Sequence, residues 1–196
     1  DGAMSHARVY INGQEAGYWP YGYNSFYVDA TPYLKAGQQN ELAVRLENFE
    51  ESSRWYPGAG IYRNVHLVVT EGAHVPTWGT QITTPVVKEK FAKVHLETKW
   101  EMPVGKKITD YRIVTEILNP EGKMVSSDER PGDVLEEGMF VQDFVVHTPT
   151  LWSPESPMLY KAVSKIYEGN ELLDEYTTRF GIRTIEIVPD KGFFLN

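Results

Sequence analysis

The sequence predicts an all-β chain built as two consecutive sandwiches. Three observations carry that prediction. Runs in which apolar and polar residues alternate recur along the chain, Lys93 to Met102 most cleanly; alternation has the two-residue period of a half-buried strand. Clusters of Gly, Pro and Asn separate these runs, as turns do. Aromatic residues make up 13%, with 12 Tyr and 5 Trp, a composition that packs well on pleated surfaces and also suits stacking on sugar faces.

The first domain begins with Arg8 to Ile11, whose Val9 and Ile11 share a face, and Asn12-Gly13 then predicts a hairpin returning through Gln14 to Tyr18. Trp19 to Asn24 is an aromatic turn, either cover for the core or a surface loop, and it leads into Ser25 to Asp29. Thr31 to Leu34 predicts one helical turn, capped by Thr31 with Pro32 at its first position and ended by Gly37 to Asn40. Glu41 to Asn48 alternates again, placing Leu42, Val44 and Leu46 inward. The chain is organised around Ser52 to Thr70. Pro57, Gly58 and Gly60 turn its loop half tightly, displaying Arg54, Trp55 and Tyr56, and its second half alternates from Ile61, with Val65, Leu67 and Val69 on one face of an expected core strand.

Glu71 to Gly79 lacks periodicity and carries Gly and Pro, which places a domain boundary near residues 71 to 76. Beyond it, strands are expected near Gln81 to Thr84, over Lys93 to Met102 and over Tyr111 to Leu118. Asn119-Pro120-Glu121-Gly122 then turns the chain into Lys123 to Ser126. Residues 128 to 138 read as an acidic loop and Met139 to His147 as a strand. Thr148 to Pro157 is interrupted by three prolines, with Trp152 as a core plug. Leu159 to Tyr167 pairs with Asp174 to Phe180 across Glu168 to Leu173, and Gly181 to Ile187 is the last strand. About seven strands at turn-separated intervals are the signature of an immunoglobulin-like sandwich.

Several function classes are excluded. A net charge of −8 leaves no electrostatic grip on nucleic acid or anionic lipid. There is no cysteine, hence no disulfide or thiolate metal site. No apolar run is long enough to cross a bilayer. The opening residues do not form a signal peptide, and the chain reads as a piece of a longer polypeptide.

Five segments in order, Val9 to Gly13, Tyr21 to Phe26, Asp29 to Gly37, Asn40 to Arg45 and Ser53 to Arg63, closely resemble the N-terminal sugar-binding domain of glycoside hydrolase family 2, which holds β-galactosidases, β-glucuronidases and β-mannosidases. Leu151 to Tyr160, Phe180 to Arg183 and Gly192 to Asn196 resemble the second domain of that family and its exit. The resemblance implies a truncated jelly-roll over residues 1–72, an immunoglobulin-like sandwich over 73–190, and in 191–196 the start of a connection to a catalytic barrel that lies outside this chain. It implies that the parent is a retaining exo-β-glycosidase, a β-galactosidase first, acting on a carbohydrate substrate, and it is compatible with a periplasmic or secreted parent. The competing class is a non-catalytic carbohydrate-binding or surface-adhesion protein.

The catalytic carboxylates implied by the family belong to the barrel, so no catalytic residue is expected here. The two Asn-Glu pairs, Asn40-Glu41 and Asn170-Glu171, lie in turns and are read as turn residues. By the resemblance, Arg54, Trp55 and Tyr56, with Tyr21 and Asn24, wall the substrate pocket or meet the barrel; the bottom-up alternative has Trp55 plugging the sandwich edge and Arg54 pairing with Glu50 or Glu51. Ser53 and Arg54 stand where some β-galactosidases carry an acidic sugar-contacting residue. Arg63 and Arg183 are expected to fix loops or domain contacts. The scattered histidines, and the set Asp128, Glu129, Asp133, Glu136 and Glu137, match no metal-binding spacing, so neither metal nor cofactor is expected. A truncated first domain leaves an open sheet edge, which predicts self-association.

Overall fold

Alternation becomes sheet only where a neighbouring strand takes up the free backbone groups. The computed structural model, which describes residues 1–51, 55, 58–134 and 138–196, divides the chain into two units, Asp1–Val68 and Val69–Asn196. The first carries β1 (Ala3–Met4), β2 (Ala7–Ile11), β3 (Gln14–Trp19), a 3₁₀ turn over Thr31–Tyr33, β4 (Leu42–Arg45) and β5 (Gly60–Ile61). Strand β2 lies between β3 and β4, and β1 pairs with β5. Val9 and Ile11 are buried, as their alternation predicts. Both residues of the β2–β3 loop take the left-handed backbone a two-residue hairpin needs, Asn12 at φ 51° and Gly13 at φ 80°. The Asn12 side chain also ties the hairpin to its surroundings: its amide donates to the Tyr33 carbonyl at 2.9 Å and to Asn40 Oδ1 at 2.8 Å, and its Oδ1 accepts from the Glu41 N–H at 3.1 Å.

Three expectations for this unit are corrected. The helical turn over Thr31–Tyr33 forms, but Thr31 does not cap it: Ala30 stands at the N-cap and no side chain caps the turn. The Asp29 carboxylate instead accepts from the Thr31 N–H at 2.9 Å, and hydrogen bonds with the Thr31 side chain first and its backbone second hold Asp29 below its ordinary pKa. Leu42 is exposed and Val44 half-buried although they pair with the buried Ile11 and Val9, because β4 lies at the edge of its sheet and β2 at its centre. The expected core strand over Val65 to Val69 is absent: sheet pairing stops at Ile61, and Val65, Leu67 and Val69 are 64%, 81% and 81% exposed. Among the described residues no strand lies alongside 62–70, so the alternation has no ladder to join.

The second unit contains β6 (Thr80–Val87), β7 (Phe91–Lys99), β8 (Tyr111–Leu118), β9 (Met124–Pro131), β10 (Met139–His147), β11 (Tyr160–Glu168), β12 (Glu171–Phe180), β13 (Ile185–Val188) and β14 (Gly192–Leu195). Seven of these make two antiparallel sheets, ordered β10-β7-β6 and β12-β11-β8-β9, the immunoglobulin-like sandwich the strand spacing predicts. The expected acidic loop starts late. Asp128 to Pro131 continue β9, paired with Thr115 to Arg112, because the polar side chains of an edge strand can point to water while the backbone bonds inward. The hairpin turn between β11 and β12 is also tighter than expected, since pairing runs to Glu168 and Glu171. Residues 181–184 are not strand. Ile182 is buried in the core, and Ile185 to Val188 pair instead with Gly192 to Leu195 in a separate ribbon.

The interior of the sandwich holds two apolar clusters. One contains Val94, Leu96, Ile117, Phe144, Val146 and Ala162, the other Trp100, Tyr111, Ile113, Phe140 and Ile166. Between them four strands contribute one buried polar residue each: Thr98 on β7, Thr115 on β8, Gln142 on β10 and Ser164 on β11. Thr115 donates to Gln142 Oε1 at 2.6 Å and meets the Ser164 hydroxyl at 3.0 Å, while the Gln142 amide donates to the Asp128 carbonyl and carboxylate at 3.2 and 3.0 Å. A polar belt thus links Thr115, Gln142 and Ser164 across the core, their groups satisfied as burial demands, while the buried Thr98 hydroxyl stands outside it with no hydrogen-bond partner among the described residues.

Candidate functional site

In the first unit, the segment after β3 is held from both sides. The His6 N–H donates to the Pro20 carbonyl at 3.1 Å, and the Tyr62 hydroxyl donates to the Gly22 carbonyl at 2.8 Å. Gly22 is required by close approach: a Cβ there would lie 2.3 Å from Met4 Sδ. This anchored turn projects Tyr21 and Tyr23, whose rings lie 5.4 Å apart. Trp55 donates its indole N–H to the Tyr23 hydroxyl at 2.9 Å and is 61% exposed. Trp55 therefore does not plug the sandwich edge. The aromatic turn is divided: Trp19 stacks on Phe26 at 6.0 Å and is half-buried, Tyr18 meets His6 Nδ1 at 2.7 Å, and Tyr21 and Tyr23 face outward.

Of the residues expected at this site, Trp55 and Tyr21 are brought together through Tyr23, while Asn24 is exposed beside them in sequence. Arg54, Tyr56, Ser53 and Pro57 lie outside the described residues, as do Glu136 and Glu137 of the acidic set. Tyr23 was legible only as one aromatic among several, since nothing in the sequence pairs it with a tryptophan 32 residues away. Arg63 lies with its guanidinium 5.4 Å from the Tyr62 ring. Exposed rings on a held backbone can stack on an apolar sugar face or on a neighbouring domain.

In the second unit, Trp152, Arg183 and Asn196 form a corner. Trp152 is half-buried rather than a core plug, because the Arg183 guanidinium covers its ring at 4.9 Å. Its backbone N–H donates to the Ile182 carbonyl at 2.8 Å. A groove of about 230 Å³, lined by Ile82, Thr84, Phe180, Gly181, Arg183 and Ile185, lies alongside.

Two residues of the acidic set are engaged locally. Asp128 accepts from Arg130 Nε at 2.7 Å and from Gln142, and Glu129 lies 3.7 Å from Arg112. Asn40 is a turn residue, its Oδ1 accepting from the Lys35 N–H at 2.8 Å and its amide donating to the Lys35 and Gln38 carbonyls. Among the described residues no group of three His, Asp or Glu converges as a metal site. His95 on β7 stands between Asp143, at 2.8 Å from Nδ1, and Glu97, at 3.4 Å from Nε2; the hydrogen bond with Asp143 raises its pKa above the ordinary value. Among the described residues no helix is long and apolar enough to cross a membrane.

The sequence profile of glycosyl hydrolases family 2 matches residues 73–183. The whole chain aligns at 42% identity with 23% of the β-galactosidase BoGH2A of Bacteroides ovatus, and at 38% identity with 18% of a putative β-glucuronidase of Formosa agariphila. Among solved structures, a family 2 glycosyl hydrolase from Bacteroides cellulosilyticus matches the whole chain over 25% of its own length, with a TM-score of 0.89 and 34% identity. A β-glucuronidase of the family matches with a TM-score of 0.88 and 29% identity over 23% of its length. The chain thus spans about a quarter or less of the length of these relatives.

Proposed function

From the premise that the chain belongs to glycosyl hydrolases family 2, we propose that it is the non-catalytic N-terminal region of a retaining exo-β-glycosidase, a β-galactosidase in the first instance. The observation that carries this reading is the 42% identity to the Bacteroides ovatus β-galactosidase along the full chain. In this reading the hydrolysis uses two carboxylates about 5 to 5.5 Å apart, one as nucleophile and one as acid/base. Both belong to a catalytic barrel elsewhere in the polypeptide. Residues 1–72 and 73–190 support that barrel, and 191–196 begin the connection to it. Arg54, Trp55, Tyr56, Tyr21 and Asn24 form one wall of the pocket or its barrel contact, and the anchoring of Tyr21, Tyr23 and Trp55 supports that role. Arg63, Arg183 and Trp152 stabilise loops and domain contacts.

The second reading is a β-glucuronidase parent, favoured by the 38% identity to the Formosa agariphila protein; a β-mannosidase is the third. A free-standing carbohydrate-binding or adhesion protein is the alternative outside catalysis. The parent acts in the periplasm or outside the cell, and the open edges of the first unit support self-association of the isolated piece. Assays with chromogenic galactoside and glucuronide decide among these. The full-length polypeptide is expected to hydrolyse the galactoside faster, and the 196-residue chain to hydrolyse neither. Turnover by the chain alone would overturn the reading. Tight galactoside binding by the chain alone would favour the binding-module class.

A further inference from the structure

Each sheet of the sandwich ends in two edge strands, β10 and β6 on one and β12 and β9 on the other, and an edge left open is a template for another strand. Three of the four carry a device that discourages such pairing. Strand β6 contains Pro85 and shifts register against β7 between Thr83 and Val86, while β9 ends in Pro131 and shifts against β8. The side chains of β12 are tied to the segment that leads into β6: Asp174 accepts from the Val75 N–H at 2.8 Å, Tyr176 from the Trp78 N–H at 3.1 Å, and the Thr178 and Thr80 hydroxyls meet at 2.7 Å. Strand β10 has none of these. It runs nine residues without proline and pairs with β7 in unbroken register.

We propose that the free edge of β10 pairs with β10 of a second copy of this chain, antiparallel about a two-fold axis at Val145. The ladder to β7 fixes which backbone groups are available. Trp100 donates its N–H to the Gly138 carbonyl at 3.1 Å and Thr148 its N–H to the Lys90 carbonyl at 2.9 Å. The even-numbered residues of β10 therefore bond to β7, and the N–H and C=O groups of Val141, Asp143, Val145 and His147 point away from it. No hydrogen bond reaches these groups among the described residues. Their side chains lie on the wet face, with Val141 and Val145 each 41% exposed and Asp143 and His147 exposed. One register makes this edge self-complementary. With Val145 opposite its own copy, each Asp143 stands opposite the second copy's His147, a favourable pair on both sides of the axis. Asp143 Oδ1 is held by His95 Nδ1 at 2.8 Å, while its Oδ2 and the His147 ring make no hydrogen bond among the described residues. An axis at Asp143 would instead oppose two carboxylates, which is destabilising. The contact does not depend on what the polypeptide hydrolyses.

Sedimentation of the 196-residue chain over a concentration series is expected to show a monomer–dimer equilibrium, since so short a ladder buries less than a standard interface. Val145→Pro removes an N–H that β7 does not use; it is expected to abolish the dimer and leave the far-ultraviolet circular dichroism unchanged. His147→Glu sets a second carboxylate opposite Asp143 and is expected to raise the dissociation constant at least tenfold. The chain has no cysteine, so single cysteines report the register. On oxidation Val145→Cys is expected to cross-link, its copy lying within disulfide reach, and Asp143→Cys is not, its copy lying about 13 Å away along the ladder. A chain that stays monomeric throughout would overturn the proposal. So would a dimer that a folded Val145→Pro and His147→Glu leave intact, which would assign association to another surface. Cross-linking by Asp143→Cys in place of Val145→Cys would overturn the register. If Val145→Pro fails to fold, His147→Glu and the two cysteine variants still decide.

Discussion

Replacing Gln142 by leucine attacks the polar belt at its most connected point. Gln142 is fully buried and makes three hydrogen bonds, one with Thr115 and two with Asp128. Two of these are between neutral groups, worth about 1 kcal/mol each, and the one to the Asp128 carboxylate about 1.5–3 kcal/mol. Leucine recovers about 2 kcal/mol of apolar burial, so Gln142→Leu should destabilise the second unit by about 2 kcal/mol. Thr115→Val strands Gln142 Oε1 and takes one partner from Ser164, and should cost a similar about 2 kcal/mol. The shared Thr115–Gln142 bond is lost in both single variants, and the double variant leaves no orphan at that contact. The double variant should therefore fall short of the sum by about 1 to 1.5 kcal/mol. Urea unfolding of the four proteins, followed by circular dichroism, measures the cycle. A neutral Gln142→Leu, or additivity within about 0.5 kcal/mol, would refute the claim that the belt acts as one network.

Three further outcomes are expected. Asp143→Asn should lower the pKa of His95, read by NMR titration, because the Asp143 hydrogen bond raises it. A raised folded pKa means that the contact stabilises the fold fully below the ordinary value of 6.5 and loses that contribution as pH climbs through the raised value; the variant should flatten stability across that window. Asn12→Ala should cost the first unit about 2–4 kcal/mol, from a left-handed residue and three side-chain bonds, measured as loss of amide protection across β2 and β3. Gly181→Ala would set a methyl 2.8 Å from the Trp152 side chain and should destabilise by about 1–3 kcal/mol in thermal unfolding; an unchanged midpoint would show that the corner yields freely.

Much of the second unit was written locally. Strands β8 and β10 fall at their expected limits, because the whole signal, apolar residues inward and turn residues at each end, sits within one segment. The Asn12-Gly13 hairpin is likewise local chemistry, since two consecutive left-handed residues exclude most alternatives. The resemblance of the five segments in the first unit and of the exit after Phe180 reached the family, which periodicity could not do.

What the sequence by itself determined is therefore the all-β class, the turns and the inward face of each sandwich strand, since these depend on residues that are neighbours along the chain. Tertiary structure decided the rest. Val65, Leu67 and Val69 share one face as strand residues do, yet they stay exposed because pairing depends on a partner and not on the segment. Asp128 to Pro131 look like loop and become strand because β8 offers them a ladder. Trp55 meets Tyr23, and Asn196 meets Trp152 across 44 residues, through contacts that exist only once distant segments are brought together; alternation and turn chemistry carry no record of them.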